Sequence, residues 1–345
     1  MTRHFALITL MLSCLGPYSL GQEARLEFLA SIPKEHQNVF FRTIPFIAID
    51  NLGVIYAADN RDNIVYKIDA TDNSVSIIGR PGQGPGDLTH PWQICIEGDN
   101  LYVADDAAIS TFKTTGVYQD RFRIFHRLLT FAAGKDKIYT VESGTEDLIT
   151  QYGKDGERQS SFGKKYRPEM SIYKGWAQDF VDGTINDGKI LIGNDAIYFI
   201  SYFFAELFKY DLKGQFVTKS NLAGEEIIKK NRDFYFKVGQ SQPADRGFET
   251  FRIIKDACYF NGKILILLGN LRSEVSGHEE IIEIDENDPT KRTRLPLKNI
   301  AVTPSSWGCR SIACGVNKWI PIIYASLYDE YEDRYLIHMY KRVKR

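Results

Sequence analysis

Three features of the sequence predict an all-β fold, a six-bladed β-propeller of four-stranded antiparallel blades. Short strand-like runs recur in groups of four at a spacing of roughly 40–50 residues, the size of one blade. Six such groups fill the chain of 345 residues. The sixth group lacks its fourth strand, and a strand-like segment that belongs to no group lies at the other end of the chain.

The groups read in order as follows. Ile47–Asp50, Gly53–Asp59 and Val65–Asp69 open the first. Ile94–Glu97, Leu101–Asp105 and Ser110–Lys113 open the second, and Phe131–Gly134, Lys137–Glu142 and Ile149–Tyr152 the third. The fourth is looser, with Ile190–Ile192, Ala196–Ile200 and Leu207–Asp211. Ala257–Phe260, Lys263–Leu268 and Ile281–Asp285 form the fifth; Ser311–Cys314, Trp319–Tyr324 and Tyr335–Lys341 form the sixth. Tight polar turns such as Asp72-Asn73, Thr115-Gly116, Asp155-Gly156 and Lys213-Gly214 separate the third and fourth runs, which is hairpin chemistry. Leu26, Phe28, Ala30 and Ile32 alternate with Arg25, Glu27, Leu29 and Ser31. This period of two predicts the missing outer strand of the last blade, closing the ring and leaving no open end.

Gly79-Arg80-Pro81-Gly82-Gln83-Gly84-Pro85-Gly86-Asp87-Leu88-Thr89-His90-Pro91, followed by Leu101-Tyr102-Val103-Ala104-Asp105, resembles an NHL-type repeat. In that family a glycine-rich link ending in Pro leads into the inner strand, and the second strand ends in Val-Ala-Asp. The match is good over residues 45–116 and falls to pattern-level agreement through residues 129–341. The whole also resembles poorly characterised exported propeller proteins of Gram-negative bacteria. The resemblance implies a fold and a compartment, not a reaction.

Lys and Arg number 43 against 44 Asp and Glu, so the chain has no global electrostatic claim on nucleic acid. Arg3 and His4 precede an apolar run, Phe5–Leu12, that Pro17 ends, and Ser19-Leu20-Gly21 offers small residues before Gln22. This is a signal-peptide layout, so residues 1–21 are expected to be removed and residues 22–345 to form the propeller. The alternative is lipidation at Cys14, within a loose lipoprotein box. No later apolar run reaches the ~18 residues of a membrane span. The expected location is therefore periplasmic, cell-surface or secreted.

Export would allow oxidation of Cys95, Cys258, Cys309 and Cys314, although Cys309 and Cys314 share one extended segment and lie too far apart to pair. Cys95, Cys258 and Cys314 fall near equivalent inner-strand positions beside Ala48 and Ala132, which reads as small side chains packing near the axis. The redox state stays open. Pro85 and Pro91 remove amide donors and a strand follows, so the Gly82–Gly86 loop reads as a tight crossing rather than a phosphate cradle. Asp59, Asp105 and Glu142 share one repeat position and read as caps of the following turn. His338 reads as structural, and Asp285-Glu286-Asn287-Asp288 as a hairpin turn.

Functional expectation falls on interruptions of the repeat. Long aromatic-rich links at about residues 162–186 and 220–251 leave on one face, and a third link carries Trp307. Trp176, Tyr202, Phe234, Tyr235 and Trp307 supply apolar contact there, with Arg61, His90 and His278 as polar partners. The leading function is a binding or interaction module for a small ligand, glycan, peptide or protein, without catalytic residues. One alternative is a Ca2+-dependent hydrolase, lactonase-like or lyase-like enzyme; another is a structural envelope component. An enzyme would need acids and amides converging at the starts of the inner strands. Those positions read Pro45, His90-Pro91, Leu129-Thr130, Asn186-Asp187, Arg252 and Cys309-Arg310. Asn186 and Asp187 are the one acid–amide pair among them, too few for a metal site, so no cofactor is predicted.

Overall fold

A computed structural model describes residues 24–34, 39–43, 45–105, 108–166, 183, 185–222, 253–268, 280–297, 309–317, 320–329 and 334–344. β1 (Ala24–Ile32) precedes the first blade, β2 (Phe46–Ile49), β3 (Ile55–Asp59), β4 (Ile64–Ile68) and β5 (Val75–Ile78). Blade two holds β6 (Pro91–Glu97), β7 (Asn100–Asp105), β8 (Ala108–Lys113) and β9 (Tyr118–Arg123). Blade three holds β10 (Leu128–Ala133), β11 (Lys137–Glu142), β12 (Asp147–Gly153) and β13 (Arg158–Lys164). Blade four holds β14 (Gly188–Ile192), β15 (Ala196–Ser201), β16 (Glu206–Asp211) and β17 (Phe216–Asn221). Blade five holds β18 (Ile254–Phe260), β19 (Lys263–Leu268), β20 (Glu280–Asp285) and β21 (Arg292–Pro296). Blade six joins β22 (Cys309–Asn317), β23 (Ile320–Asp329) and β24 (Arg334–Lys344) to β1, in the sheet order β1-β24-β23-β22. The N-terminal strand thus closes the ring, as its alternation predicts. Ala24 pairs with Lys344 and Ile32 with Ile337.

Continuous burial along the second strand of each blade explains the architecture. Each sheet is apolar on both faces, so each face must be covered by the next blade. The apolar side chains accordingly gather between blades rather than in one central core. One cluster, with Tyr56, Ile78, Leu88 and Val103, lies between blades one and two. Another, with Ile32, Phe41, Ile47 and Ile337, lies between blades six and one. Leu26 of β1 packs with Leu265, Leu295 and Tyr340 between blades five and six.

The Tyr content has a positional cause. Tyr56, Tyr102, Tyr139, Tyr198 and Tyr324 stand at one register position of the second strand, opposite Ala48, Cys95, Ala132, Leu191 and Ala313. In four of these five pairs a small inner-strand residue leaves room for the ring, and the hydroxyl can reach toward the next blade. Tyr56 donates to Asp50 and to the Thr114 carbonyl, Tyr198 donates to Glu286, and Lys154 donates to the Tyr102 oxygen at 2.6 Å. Burial, first of all, raises these phenols, Tyr102 and Tyr324 to about 12. A raised phenol favours the fold below the unfolded pKa near 10, and that contribution is lost as pH climbs through the folded value. Stability measured by chemical denaturation should therefore be flat from pH 8 to about 9.5 and fall steeply between about 10 and 12. A flat profile to pH 12 would contradict the burial of these hydroxyls.

The glycine-rich link before β6 turns back on itself. Asp87 sits in its centre and accepts from Arg80 Nε at 2.6 Å and from the Gly84 amide at 2.9 Å. Gly79 has φ +75°, and a Cβ there would lie 2.6 Å from the buried Leu88 side chain. Gly79→Ala should cost about 2 kcal/mol, from backbone strain and overpacking together. Urea titration checks this, and a midpoint equal to that of the parent would refute it.

Candidate functional site

Antiparallel pairing sends the links between blades, and the second-to-third-strand turns, to one end of the ring. The tight hairpins between first and second strands lie at the other. The inner strands β2, β6, β10, β14, β18 and β22 surround an axial channel of about 750 Å³. Its wall runs from Gln93 and Lys189 to the hairpin tips at Lys135, Asp136, Gly193 and Asn194.

At the link end, one register position recurs around the ring: Phe46, Gln93, Thr130, Lys189, Asp256 and Ser311. Four of the inner strands slip register just before it, at Pro91/Gln93, Leu128/Thr130, Ile254/Asp256 and Cys309/Ser311. Such bulges re-aim the side chain that follows. Here they turn polar groups toward the neighbouring blade. Gln93 donates to Thr130 Oγ1 and to the Phe131 carbonyl, and accepts from the Phe131 amide. Asp256, buried, pairs with Lys189 at 2.8 Å and accepts from Ser311 Oγ at 2.8 Å and from the Ile312 amide at 3.0 Å. One carboxylate thus joins blades four, five and six.

The sequence reading placed the convergent polar positions slightly too early along the inner strands, because a bulge leaves no signature in composition. Only Thr130 coincides. Asp256, Lys189, Gln93 and Ser311 were missed. Aligning the second strands on Asp59, Asp105 and Glu142 and stepping back across the pairing would have found Gln93.

Of those three acids, Asp59 caps the turn that follows it, whereas Asp105 holds the preceding link and the outer strand of its blade. Asp59 accepts from the Arg42 and Arg61 amides and from Thr43 Oγ1, and Asp105 from the Thr89 amide and from Arg121 Nη2. Glu142 instead turns inward and accepts from Thr140 and Tyr152. Blade four substitutes Ser201, whose hydroxyl takes the Phe204 amide.

Of the predicted contact residues, Arg61 and His90 lie exposed at the link end. The Asn63 side chain accepts from the His90 amide at 2.6 Å, which ties the turn that carries Arg61 to the link that carries His90. Tyr202 is a core residue rather than a surface one, with its hydroxyl 3.5 Å from Asp256. Asn186 accepts from the Tyr166 amide and donates to the Tyr166 carbonyl, so both ends of its amide hold a neighbouring loop. Asp187 is buried beside it, and its carbonyl accepts from the Tyr202 amide. Among the described residues no group of three His, Cys, Asp or Glu converges on a point. Trp176, Phe234, Tyr235, His278 and Trp307, most of both long links, and Cys14 lie outside the described residues.

The cysteines, whose redox state the sequence leaves open, differ from one another. Cys258 and Cys314 do pack against the apolar cluster between blades five and six, but they are also bonded to each other as a disulfide. Inner strands converge toward the axis, which brings their Cα atoms within 6.3 Å. Cys95 is a free thiol in the channel wall, raised to about 12 chiefly by burial. At pH 8 its thiolate fraction is roughly a thousandfold below that of an exposed cysteine. Iodoacetamide should label Cys95 about a thousand times more slowly in the folded protein than in urea, as read by peptide mass spectrometry. Equal rates would show the thiol to be solvated. His338 is buried with Nδ1 3.2 Å from the Tyr340 hydroxyl, a structural role, and the Asp285–Asp288 segment is a hairpin turn capped on the Asn287 amide.

No family profile and no curated protein matches the sequence. Solved structures do match in fold. A Bacteroides fragilis protein whose name gives it as exported is 11% identical, with 93% of this chain and 96% of that one covered and a TM-score of 0.57. A luciferin-regenerating enzyme is 12% identical, with 88% and 92% covered and a TM-score of 0.51. A virginiamycin B lyase from Staphylococcus aureus is 11% identical, with 92% and 99% covered and a TM-score of 0.49. At these identities the likeness extends to the fold, and the chain is a six-bladed β-propeller.

Proposed function

We propose that this chain is an exported binding propeller of the NHL-repeat type, holding a small ligand, glycan or peptide in and above its axial channel. The observation that carries the reading is the channel. About 750 Å³ falls within the range of small-molecule sites, and the wall combines apolar side chains with placed charged and amide groups. Export is supported by the leader-like segment 1–21 and by the Cys258–Cys314 disulfide, a bond that persists in oxidising compartments. The NHL assignment is supported by the Gly79–Pro91 link and by Asp59 and Asp105, which share a repeat position and each accept an amide of the preceding link.

A thermal-shift screen of glycans, short peptides and Ca2+ tests the proposal. A binder present at a hundred times its Kd should add about 2.7 kcal/mol of stability. A hit that Gln93→Ala or Asn194→Trp abolishes supports the channel. A hit indifferent to both, but lost on removal of Trp176 and Trp307, would move the site to the link-bearing face. A Ca2+ shift would favour the enzyme reading.

A further inference from the structure

We propose that the channel admits a neutral, amphipathic small molecule through its hairpin-side mouth and sets a carbonyl or hydroxyl oxygen against Lys189. This rests on the channel being the binding site, and goes further in naming the ligand chemistry and the side of access. The wall's extent gives the side. It runs from the Gln93 and Lys189 level to the exposed hairpin tips of blades three and four, opposite the face from which the long links leave.

The ligand chemistry follows from how charge is distributed. Among the described residues Lys189 is the cation at the link end of the wall, and its ammonium lies 2.8 Å from Asp256, with side-chain exposures of 20% and 6%. An anion placed on Lys189 would sit within a few ångströms of that carboxylate, and a cation would meet the ammonium itself. Both are opposed in a half-buried site. A neutral acceptor leaves the ion pair intact. It can take one of the ammonium's other N–H donors, since a lysine has three. The mouth repeats the balance, with Glu97 and Asp136 set against Lys135 and Lys137.

The remaining wall is asymmetric. Blades six and one offer Ile312, Ala313, Ile47 and Ala48, whereas the charged and amide groups come from blades two to four. Each inner strand is also a sheet edge, with one row of peptide groups that no strand of its own sheet pairs. These groups need water or a neutral hydrogen-bonding ligand. An apolar flank facing a neutral polar flank fits a molecule that has the same two sides.

Octanamide, octanoate and octylammonium share one chain and differ in head-group charge. Ligand-observed NMR on the intact protein, with Asn194→Trp at the mouth and Lys189→Arg in the wall, separates the possibilities. Both substitutions keep the ion pair available. We expect octanamide to bind at least fivefold more tightly than either ion, with that preference reduced by Lys189→Arg and binding lost in Asn194→Trp. Octanoate or octylammonium binding as tightly as the amide would overturn the neutral-ligand assignment. Octanamide binding undiminished by Asn194→Trp would overturn access from the hairpin side. If all three probes fail while another screened ligand is lost in Asn194→Trp, the ligand class falls and the channel reading stands. If every binder found ignores both variants, the channel reading falls with it.

Discussion

Deleting residues 24–33 should abolish cooperative folding. β1 is a small share of the chain, but it supplies the outer strand of blade six and covers part of two inter-blade clusters. Leu26 and Ile32 are fully buried, and the Phe28 ring packs edge-on against His338 and Tyr340. Burying Leu26 and Ile32 is worth about 1.5–3 kcal/mol each, and the partly buried Phe28 adds a smaller share. Their loss alone approaches the 5–15 kcal/mol that holds a typical domain together. The deletion also leaves β24 with an unpaired edge, its backbone partners gone over Ala24–Ile32. The truncated protein should show no sharp thermal transition by circular dichroism. A synthetic peptide of residues 24–33 should restore one, because the groove it leaves is a strand-addition site. Leu26→Ala alone should lower stability by about 2–4 kcal/mol and leave the transition cooperative. If the truncated chain melted like the parent, the ring would not depend on its N-terminal strand.

That closure was legible in the sequence because it rests on period-two alternation and on counting: five complete groups, one incomplete, and one strand to spare. The blade boundaries were legible for a similar reason, since turn chemistry at Asp155-Gly156 and Lys213-Gly214 is local. The Tyr positions were half legible. A recurring Tyr beside a small inner-strand residue is visible in a repeat alignment, but its reach to the neighbouring blade is not. Of the polar ring, Gln93 was within reach of a repeat alignment, whereas Lys189 and Asp256 were not legible. The ring's members differ in every blade, so no repeat signal marks their type, and register slips displace most of them from the positions that counting assigns. The Cys258–Cys314 pair was hidden for a related reason. The two residues lie one step apart in repeat register, and only the convergence of neighbouring inner strands brings them together.

Asp256→Ala should be the most damaging single substitution in the ring. The carboxylate is buried, and its partners come from the blades on both sides: Lys189 from blade four, and Ser311 with the Ile312 amide from blade six. Removal leaves an ammonium, a hydroxyl and an amide without their acceptor. Breaking a buried pair from one side costs about 3–5 kcal/mol, much of it the penalty on the charge left behind. Lys189 keeps 20% side-chain exposure, so the lower part of that range applies. For a chain of this size the fall in Tm is roughly 4–8 °C. Pairing Asp256→Ala with Lys189→Met should recover part of the loss, because no charge is then stranded; the non-additivity measures the coupling directly. The exposed pair Lys219–Glu206 in blade four serves as the contrast, at a nearly equal 2.9 Å. Lys219→Ala should change stability by under about 1 kcal/mol, because solvent screens that pair. If Asp256→Ala cost no more than Lys219→Ala, the polar ring would be incidental to closure. The blades would then be held by their apolar clusters and by β1 alone.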